Sequence, residues 1–301
     1  MALRKDIWRI GIAHAPLHEL FDQRALDSAP ITWLPELPSL QFMADPFGLW
    51  RDGRLYVFAE TYDYRDRIGR IEVLTFDGDL TVLNRRLVLS EPWHLSYPFL
   101  IEQDGETYML PEANRSGALT LYRAAAFPDR WEPVTRFTFE HAPIDATPVF
   151  HSGLWWLFYT PAKTRIEKFG ALYVAYAERL AGPWTQHAGN PVRFDVTSAR
   201  PGGTPFVRDG QLVLPVQDCS VTYGGAMRAL YINKLTPELF EAEASGALYA
   251  PGSGDYREGF HTMTAAGGFT LIDAKRTHLS PLTLALDVGH AIRKLARRDG
   301  R

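Results

Sequence analysis

The chain has 301 residues, 46% of them hydrophobic and 13% aromatic, enough to bury a large core and too apolar for a disordered segment. Its 32 basic and 35 acidic residues leave a formal charge of −3, which gives no support for a nucleic-acid or membrane-surface partner. A single cysteine, Cys219, rules out an internal disulfide framework.

The N-terminal segment, residues 1–40, mixes charged and apolar residues and carries Trp8 and Trp33. It lacks the apolar run of a secretory signal, and no apolar stretch in the chain reaches the ~20 residues needed to span a bilayer. The expectation is therefore a cytoplasmic protein without a membrane span. From residue 44 onward a repeat is visible. ADPFGLWRDGRLYVFAE (44–60) is followed by SYPFLIEQDGETYMLPE (96–112), ATPVFHSGLWWLFYT (146–160), GTPFVRDGQLVLPVQ (203–217) and HTMTAAGGFTLIDAK (261–275). Pro46, Pro98, Pro148, Pro205 and Thr262 hold one register, at steps of 52, 50, 57 and 57 residues.

Each unit reads as strand, turn, strand. Asp52-Gly53, Asp104-Gly105, Ser152-Gly153 and Asp209-Gly210 are hairpin turn signals. A third strand with period-two alternation follows each pair, as in Ile71-Glu72-Val73-Leu74 and Leu119-Thr120-Leu121-Tyr122, and an edge segment such as Phe137-Thr138-Phe139 precedes the next unit. Four strands repeated five times predict an all-β fold, a five-bladed β-propeller with a central axial pocket. No linker composition divides the chain, so one domain over 1–301 is expected, with residues 1–40 helping to close the ring and residues 284–301 forming a helical tail with a basic end.

In a propeller the inner strand of each blade lines the axis, and the axial depression is the default ligand site. The strand entries supply Asp45, Tyr97, Thr147 with Asp145 two residues before it, Thr204 with Arg200 four before it, and His261. The second strands end in Glu60, Glu112, Thr160, Gln217 with Asp218, and Asp273 with Lys275. Core packing would not select so many polar groups at one edge of five blades. Trp93, Tyr97, Tyr223, Tyr62 and Tyr64 are candidate aromatic walls for a sugar. Arg200 beside Gly202-Gly203 has two readings: a bidentate partner for an anionic substrate group, or a counter-charge for Asp145 or Asp218. His261 is open between a hydrogen-bonded axial residue and a general acid.

Several stretches resemble a known family. Ala44-Asp45-Pro46, Ile144-Asp145 and Ala181-Gly182-Pro183-Trp184 resemble five-bladed propeller glycosidases of the arabinanase and β-xylosidase type. A closer resemblance is to the N-terminal domain of glucosamine inositolphosphorylceramide transferases. It is carried by Trp93-His94-Leu95-Ser96-Tyr97-Pro98, Tyr108-Met109-Leu110-Pro111-Glu112, Leu121-Tyr122-Arg123-Ala124, Ala199-Arg200-Pro201-Gly202-Gly203 and Gln217-Asp218-Cys219-Ser220. The plant proteins carry a separate glycosyltransferase domain after this one; the 301-residue sequence contains none, so the resemblance does not carry transferase activity to it.

The glycosidase resemblance implies three axial carboxylates: a base in the first blade, a pKa-tuning Asp in the third and a general acid in the fourth. Asp45 matches the first, as base or nucleophile. Asp145 lies within two residues of the second. The fourth is replaced by Arg200-Pro201-Gly202-Gly203, which leaves Glu112, Glu60 or Asp218 as substitute acids. The same resemblance implies an axial calcium or sodium near His261. Tyr97, Arg200, His261, Trp93, Asp218 and Tyr223 are the expected substrate-binding residues. The expected function is a carbohydrate-active, glycosidase-like propeller that cleaves or transfers a glycosyl unit on a small-molecule or glycan substrate of polar or anionic character. A carbohydrate-binding propeller without catalysis, and a tailoring enzyme using the axial carboxylates for other proton transfers, are the alternatives.

Overall fold

Strands dominate the computed structural model, which describes residues 4–252, 254–279 and 286. The chain opens with β1 (Arg4–Ala13) and, after one short helix, α1 (Gln23–Ser28), reaches β2 (Ile31–Trp33). Blade one is β3 (Gln41–Arg51), β4 (Arg54–Asp63), β5 (Gly69–Phe76) and β6 (Val82–Leu89), antiparallel in sequence order. Blade two repeats it with β7 (Ser96–Gln103), β8 (Glu106–Glu112), β9 (Leu119–Ala126) and β10 (Arg130–Phe137). Blade three has β11 (Pro143–His151), β12 (Leu154–Pro161), α2 (Glu167–Gly170), β13 (Ala171–Ala177) and two short outer strands, β14 (Thr185–Gln186) and β15 (Arg193–Phe194). In blade four the inner strand is split into β16 (Arg200–Pro201) and β17 (Phe206–Arg208), followed by β18 (Gln211–Asp218), β19 (Ala226–Leu235) and β20 (Phe240–Ala244). Blade five takes β21 (Met263–Ala266) and β22 (Phe269–Leu279) from the end of the chain and β1 and β2 from its beginning, in the order β21-β22-β1-β2.

This is a five-bladed β-propeller. The inner hairpins of the first four blades turn where the sequence places Asp-Gly or Ser-Gly. Both turn residues have positive φ, as in Asp52 (51°) and Gly53 (71°), the backbone that matches the twist of paired strands. Clusters of buried side chains each join neighbouring blades. Phe58 and Val73 of blade one meet Met109 and Trp131 of blade two, for example, and Phe158 and Val174 of blade three meet Leu214 and Leu230 of blade four. Blades therefore bury their faces against each other, and the axis is left to the polar strand entries.

Three of those entries share one local device. The β3/β4, β7/β8 and β11/β12 ladders each skip register, between Ala44 and Phe47, Ser96 and Phe99, and Ile144 and Thr147. At the skip Asp45, Tyr97 and Asp145 take left-handed φ values of 51°, 45° and 49°. Such a bulge re-aims a side chain out of the sheet's alternation. It also frees a backbone N–H, which a neighbouring carboxylate accepts: Asp273 from Asp45 (3.0 Å), Asp45 from Tyr97 (3.3 Å) and Glu112 from Asp145 (3.3 Å). Asp145, not Thr147, is thus the counterpart of Asp45, which resolves the two-residue offset in the sequence alignment. Among the described residues no helix is long and apolar enough to cross a membrane. The helical tail expected at 284–301 lies outside the described residues except for Leu286, which is helical.

Candidate functional site

The bulges and second-strand ends surround an axial cavity of about 250 Å³. Blade one contributes Asp45, Glu60, Phe42 and Tyr62, with Tyr64 just beyond β4. Ser96 and Glu112 come from blade two, Asp145 from blade three, Arg200 and Tyr223 from blade four, and His261 from the approach to β21. Asp6 and Trp8 of β1, and His94 of the loop between β6 and β7, complete the wall.

Asp45 sits at the base. Its Oδ1 accepts the Thr262 hydroxyl (3.0 Å) and lies 3.5 Å from His261 Nε2. Burial, reinforced by the charges of Asp145 and Asp273 and opposed by His261, pushes its pKa up to about 6. Glu60 is pushed well above the usual carboxylate range, by burial first and then by Asp45 and Glu112. Its Oε1 is buried with no hydrogen-bond partner. Glu112 is also raised, by burial and then by Asp145, against the opposing charge of Arg200. Its Oε1 accepts from the Asn114 amide (2.5 Å) and its Oε2 from the Asp145 N–H. Burial and like charge thus favour the protonated forms of Glu60 and Glu112 in a pocket where the Asp45 carboxyl is raised to about 6.

Arg200 pairs with Asp145. Its Nε donates to Asp145 Oδ2 at 2.7 Å, its Nη1 donates to the Lys168 carbonyl at 3.0 Å, and its face covers the Tyr223 ring at 5.0 Å. Burial opposes the guanidinium charge, but Asp145 outweighs it and holds the group more firmly protonated than usual. Gln217 donates to the same Asp145 oxygen (2.8 Å). Of the two sequence readings of Arg200, the geometry realises the counter-charge, and the anionic substrate it was expected to recognise loses its main support.

His261 stacks on Trp8 at 3.8 Å between ring centres and 12° between planes. Its Nδ1 lies 2.7 Å from Asp273. Burial disfavours the imidazolium, yet Asp273 and Asp45 outweigh it and raise the pKa. Asp45, His261 and Asp273 bring three metal-ligating side chains within reach of one point. Their oxygens are partly engaged already, which limits what they could offer the calcium or sodium expected near His261. Asp273 already accepts the N–H groups of Asp45, His261 (3.2 Å) and Thr262 (3.1 Å), and the imidazole faces a carboxylate on both sides. A calcium ion takes about six to eight oxygen ligands, so water would have to supply most of them.

Three expected binding residues are not part of the cavity wall. Tyr97 is fully buried; its ring packs edge-on to Phe47 (4.7 Å) and its hydroxyl bonds Thr147 (2.9 Å), because a side chain that long, aimed down the axis, reaches the core. Trp93 lines a separate groove with Glu91, Tyr122 and Arg136. Asp218 is held by Arg228 through two hydrogen bonds, of 3.0 and 2.8 Å, across the β18–β19 pair. Cys219 lies nearby, and burial pushes its thiol up, away from nucleophilic use. The wall residues that sequence reasoning missed include Asp6, Trp8, Phe42, His94 and Ser96. The first two belong to a strand outside the repeat. His94 stood inside a quoted motif, next to the Trp93 chosen instead.

The family model described as glucosamine inositolphosphorylceramide transferase 1, N-terminal, matches residues 35–254. Glucosamine inositolphosphorylceramide transferase 1 of Oryza sativa subsp. indica is 39% identical over 204 residues, 66% of this chain and 27% of the relative. Its Arabidopsis thaliana counterpart is 36% identical over 223 residues, 72% of the chain and 29% of the relative. The chain thus spans under a third of the length of these curated relatives. Among solved structures, a family 117 glycoside hydrolase produced by the marine bacterium Zobellia galactanivorans aligns with a TM-score of 0.55 at 15% identity, covering 83% of this chain and 90% of that one. The catalytic domain of the Coprinopsis cinerea GH62 α-L-arabinofuranosidase aligns with a TM-score of 0.57 at 12% identity, covering 80% and 93%. At these identities the likeness is one of fold.

Proposed function

The chain belongs to the family of glucosamine inositolphosphorylceramide transferase N-terminal domains, and from that premise we propose that its axial pocket binds a glycan and cleaves or transfers a glycosyl unit by carboxylate acid–base chemistry. One observation carries the reading: a single cavity gathers Asp45, with its carboxyl raised to about 6, and Glu60 and Glu112, which burial and neighbouring acids push towards their protonated forms. Glycosyl chemistry needs that division, with one carboxylate as base or nucleophile and one carboxylic acid to protonate the leaving oxygen. Asp45 is the base or nucleophile. Asp145, neutralised by Arg200, sets the field around it. Tyr62, Tyr64, Phe42 and Trp8 offer ring faces and edges for a sugar's C–H surface. The curated relatives are named for glucosamine transfer and the structural neighbours for glycoside hydrolysis; both namings support a sugar as ligand.

The test is release of new reducing ends from a panel of oligosaccharides and of methyl and dinitrophenyl glycosides, run beside Asp45→Asn. The substitution removes the charge and little volume. Turnover should fall at least about 10³-fold with the fold intact by circular dichroism. An equally active Asp45→Asn protein contradicts the assignment.

A further inference from the structure

We propose that Glu60 is the proton donor of the axial pocket and that His94 fixes the position of its proton, an assignment that rests on the glycoside-cleaving reading above. The usual acid position of the fourth blade is occupied by Arg200, so the proton must come from elsewhere on the wall. Glu60 and Glu112 both line the cavity. Glu112 spends both oxygens accepting hydrogen bonds, one from Asn114 and one from the Asp145 N–H. Both oxygens of Glu112 are thus tied to protein donors, which makes it less available to a substrate than Glu60. Glu60 Oε1, in contrast, is buried without any hydrogen-bond partner, and a buried unpaired oxygen in a native site calls for a functional account.

The surroundings of Glu60 supply that account. Gly69, at the start of β5, donates its N–H to His94 Nδ1 at 2.9 Å, and its carbonyl accepts from the Leu95 N–H at 3.0 Å. With Nδ1 as acceptor, a neutral His94 carries its hydrogen on Nε2. That nitrogen lies 3.4 Å from Glu60 Oε1. Burial, helped by the charge of Arg115, lowers the His94 pKa to about 4, so the ring stays neutral. His94 Nε2 thus stands beside Oε1 short of hydrogen-bond geometry, and a small shift that closes the contact would hold Oε1 as the acceptor and leave the carboxylic acid's proton on Oε2. Nothing larger than glycine fits behind this contact. A Cβ on Gly69 would lie 2.3 Å from the Leu95 carbonyl oxygen, 2.6 Å from Glu60 Oε1 and 2.7 Å from His94 Cε1.

The charged and titratable groups that face Glu60 are mostly acidic: Asp45 from β3, Glu112 from β8, Asp145 from β11 and Asp273 from β22. Tyr62 follows it on β4, and Arg115 acts on both Tyr62 and His94.

In the reaction, Glu60 Oε2–H gives its proton to the glycosidic oxygen as the C–O bond breaks. The bond's electron pair stays on that oxygen, and the leaving group departs as a neutral alcohol. Water, giving a proton to Asp45, adds its hydroxyl to the sugar carbon. Glu60 is left as carboxylate and Asp45 as acid, and exchange with solvent restores both.

The deciding experiment compares Glu60→Gln with wild type on methyl and dinitrophenyl glycosides of the same sugar, across the panel. Methyl glycoside cleavage should fall about 10²–10⁴-fold. Dinitrophenyl cleavage, whose leaving group needs no proton, should stay within about tenfold of wild type. Equal loss on both substrates overturns the donor assignment. His94→Phe should lower kcat on the methyl glycoside at unchanged KM, and His94→Gln, which keeps an N–H near the Nε2 position, should recover most of it. A His94→Phe protein with full kcat, or with only KM raised, overturns the positioning role. An infrared difference spectrum at neutral pH between wild type and Glu60→Gln tests the proton without any turnover: it must show a protonated-carboxyl band that wild type has and the variant has lost, and a spectrum with no such difference overturns the proposal. Wild type that cleaves neither glycoside sinks the hydrolytic reading and the donor role with it, whereas cleavage that survives in Glu60→Gln sinks the donor alone.

Discussion

A carboxylic acid kept neutral by its neighbours lowers the stability of the fold that holds it. Glu60 has a folded pKa above its unfolded value of 4.5, because burial and the surrounding acids disfavour its charge. Below that value the group is protonated in both states and has no effect. As pH rises through it, the unfolded chain ionises while the folded chain does not, so stability is lost up to the folded pKa. Glu60→Gln cannot ionise and escapes this loss. Its melting temperature should exceed that of wild type by roughly a few degrees at pH 7, and the difference should close below about pH 4. Equal melting temperatures at pH 7 would show that Glu60 ionises freely in the fold. Glu60 could be named from the sequence as the end of a second strand at the axial edge. Its partner His94 could not, because a loop residue between blades has no fixed place in the repeat.

At the scale of single elements, the bulges decide which residues reach the cavity. The prolines at 46, 98 and 148 suggest that Thr147 matches Asp45, but the bulge in β11 makes Asp145 the match. A two-residue shift keeps every side chain on the same face, so strand alternation gives no warning of it. Tyr97 sits on the same kind of bulge and yet reaches the core, a difference of side-chain length that appears only once the axis has a measured width. Asp218 was legible as a strand end, but its partner Arg228 depends on the β18–β19 register. Gly203 marks the tightest approach between blades four and five. It bridges Met263, and a Cβ there would lie 1.8 Å from the Met263 carbonyl oxygen. Both sides of that contact are backbone, so neither can give way. Gly203→Ala should cost more than the roughly 1–3 kcal/mol of ordinary overpacking. A calorimetric melting temperature lower by on the order of 10 °C is expected. An unchanged value would mean that the blades are not packed this closely.

At the scale of the molecule, the repeat announces the propeller because each blade needs the same turn, the same alternation and the same polar entry. What the repeat cannot announce comes from outside it. Blade five is completed by β1, paired along its length with β22 from Arg4↔Leu279 to Ala13↔Thr270. That pairing brings Asp6 and Trp8 to the axis and gives His261 the ring on which it stacks. A net charge of −3 likewise conceals that five carboxylates line one cavity. Gathering acids from separate blades at one point is what divides their protonation, and the proposed chemistry depends on that division. The pH dependence of kcat/KM for methyl glycoside cleavage tests it most directly. The rate should rise as Asp45 ionises, with an acid limb near pH 6, and fall at higher pH as Glu60 loses its proton. Glu60→Gln should remove the alkaline limb from its residual activity on methyl glycosides. A wild-type profile with no acid limb near pH 6, or an alkaline limb that persists in Glu60→Gln, would contradict the account.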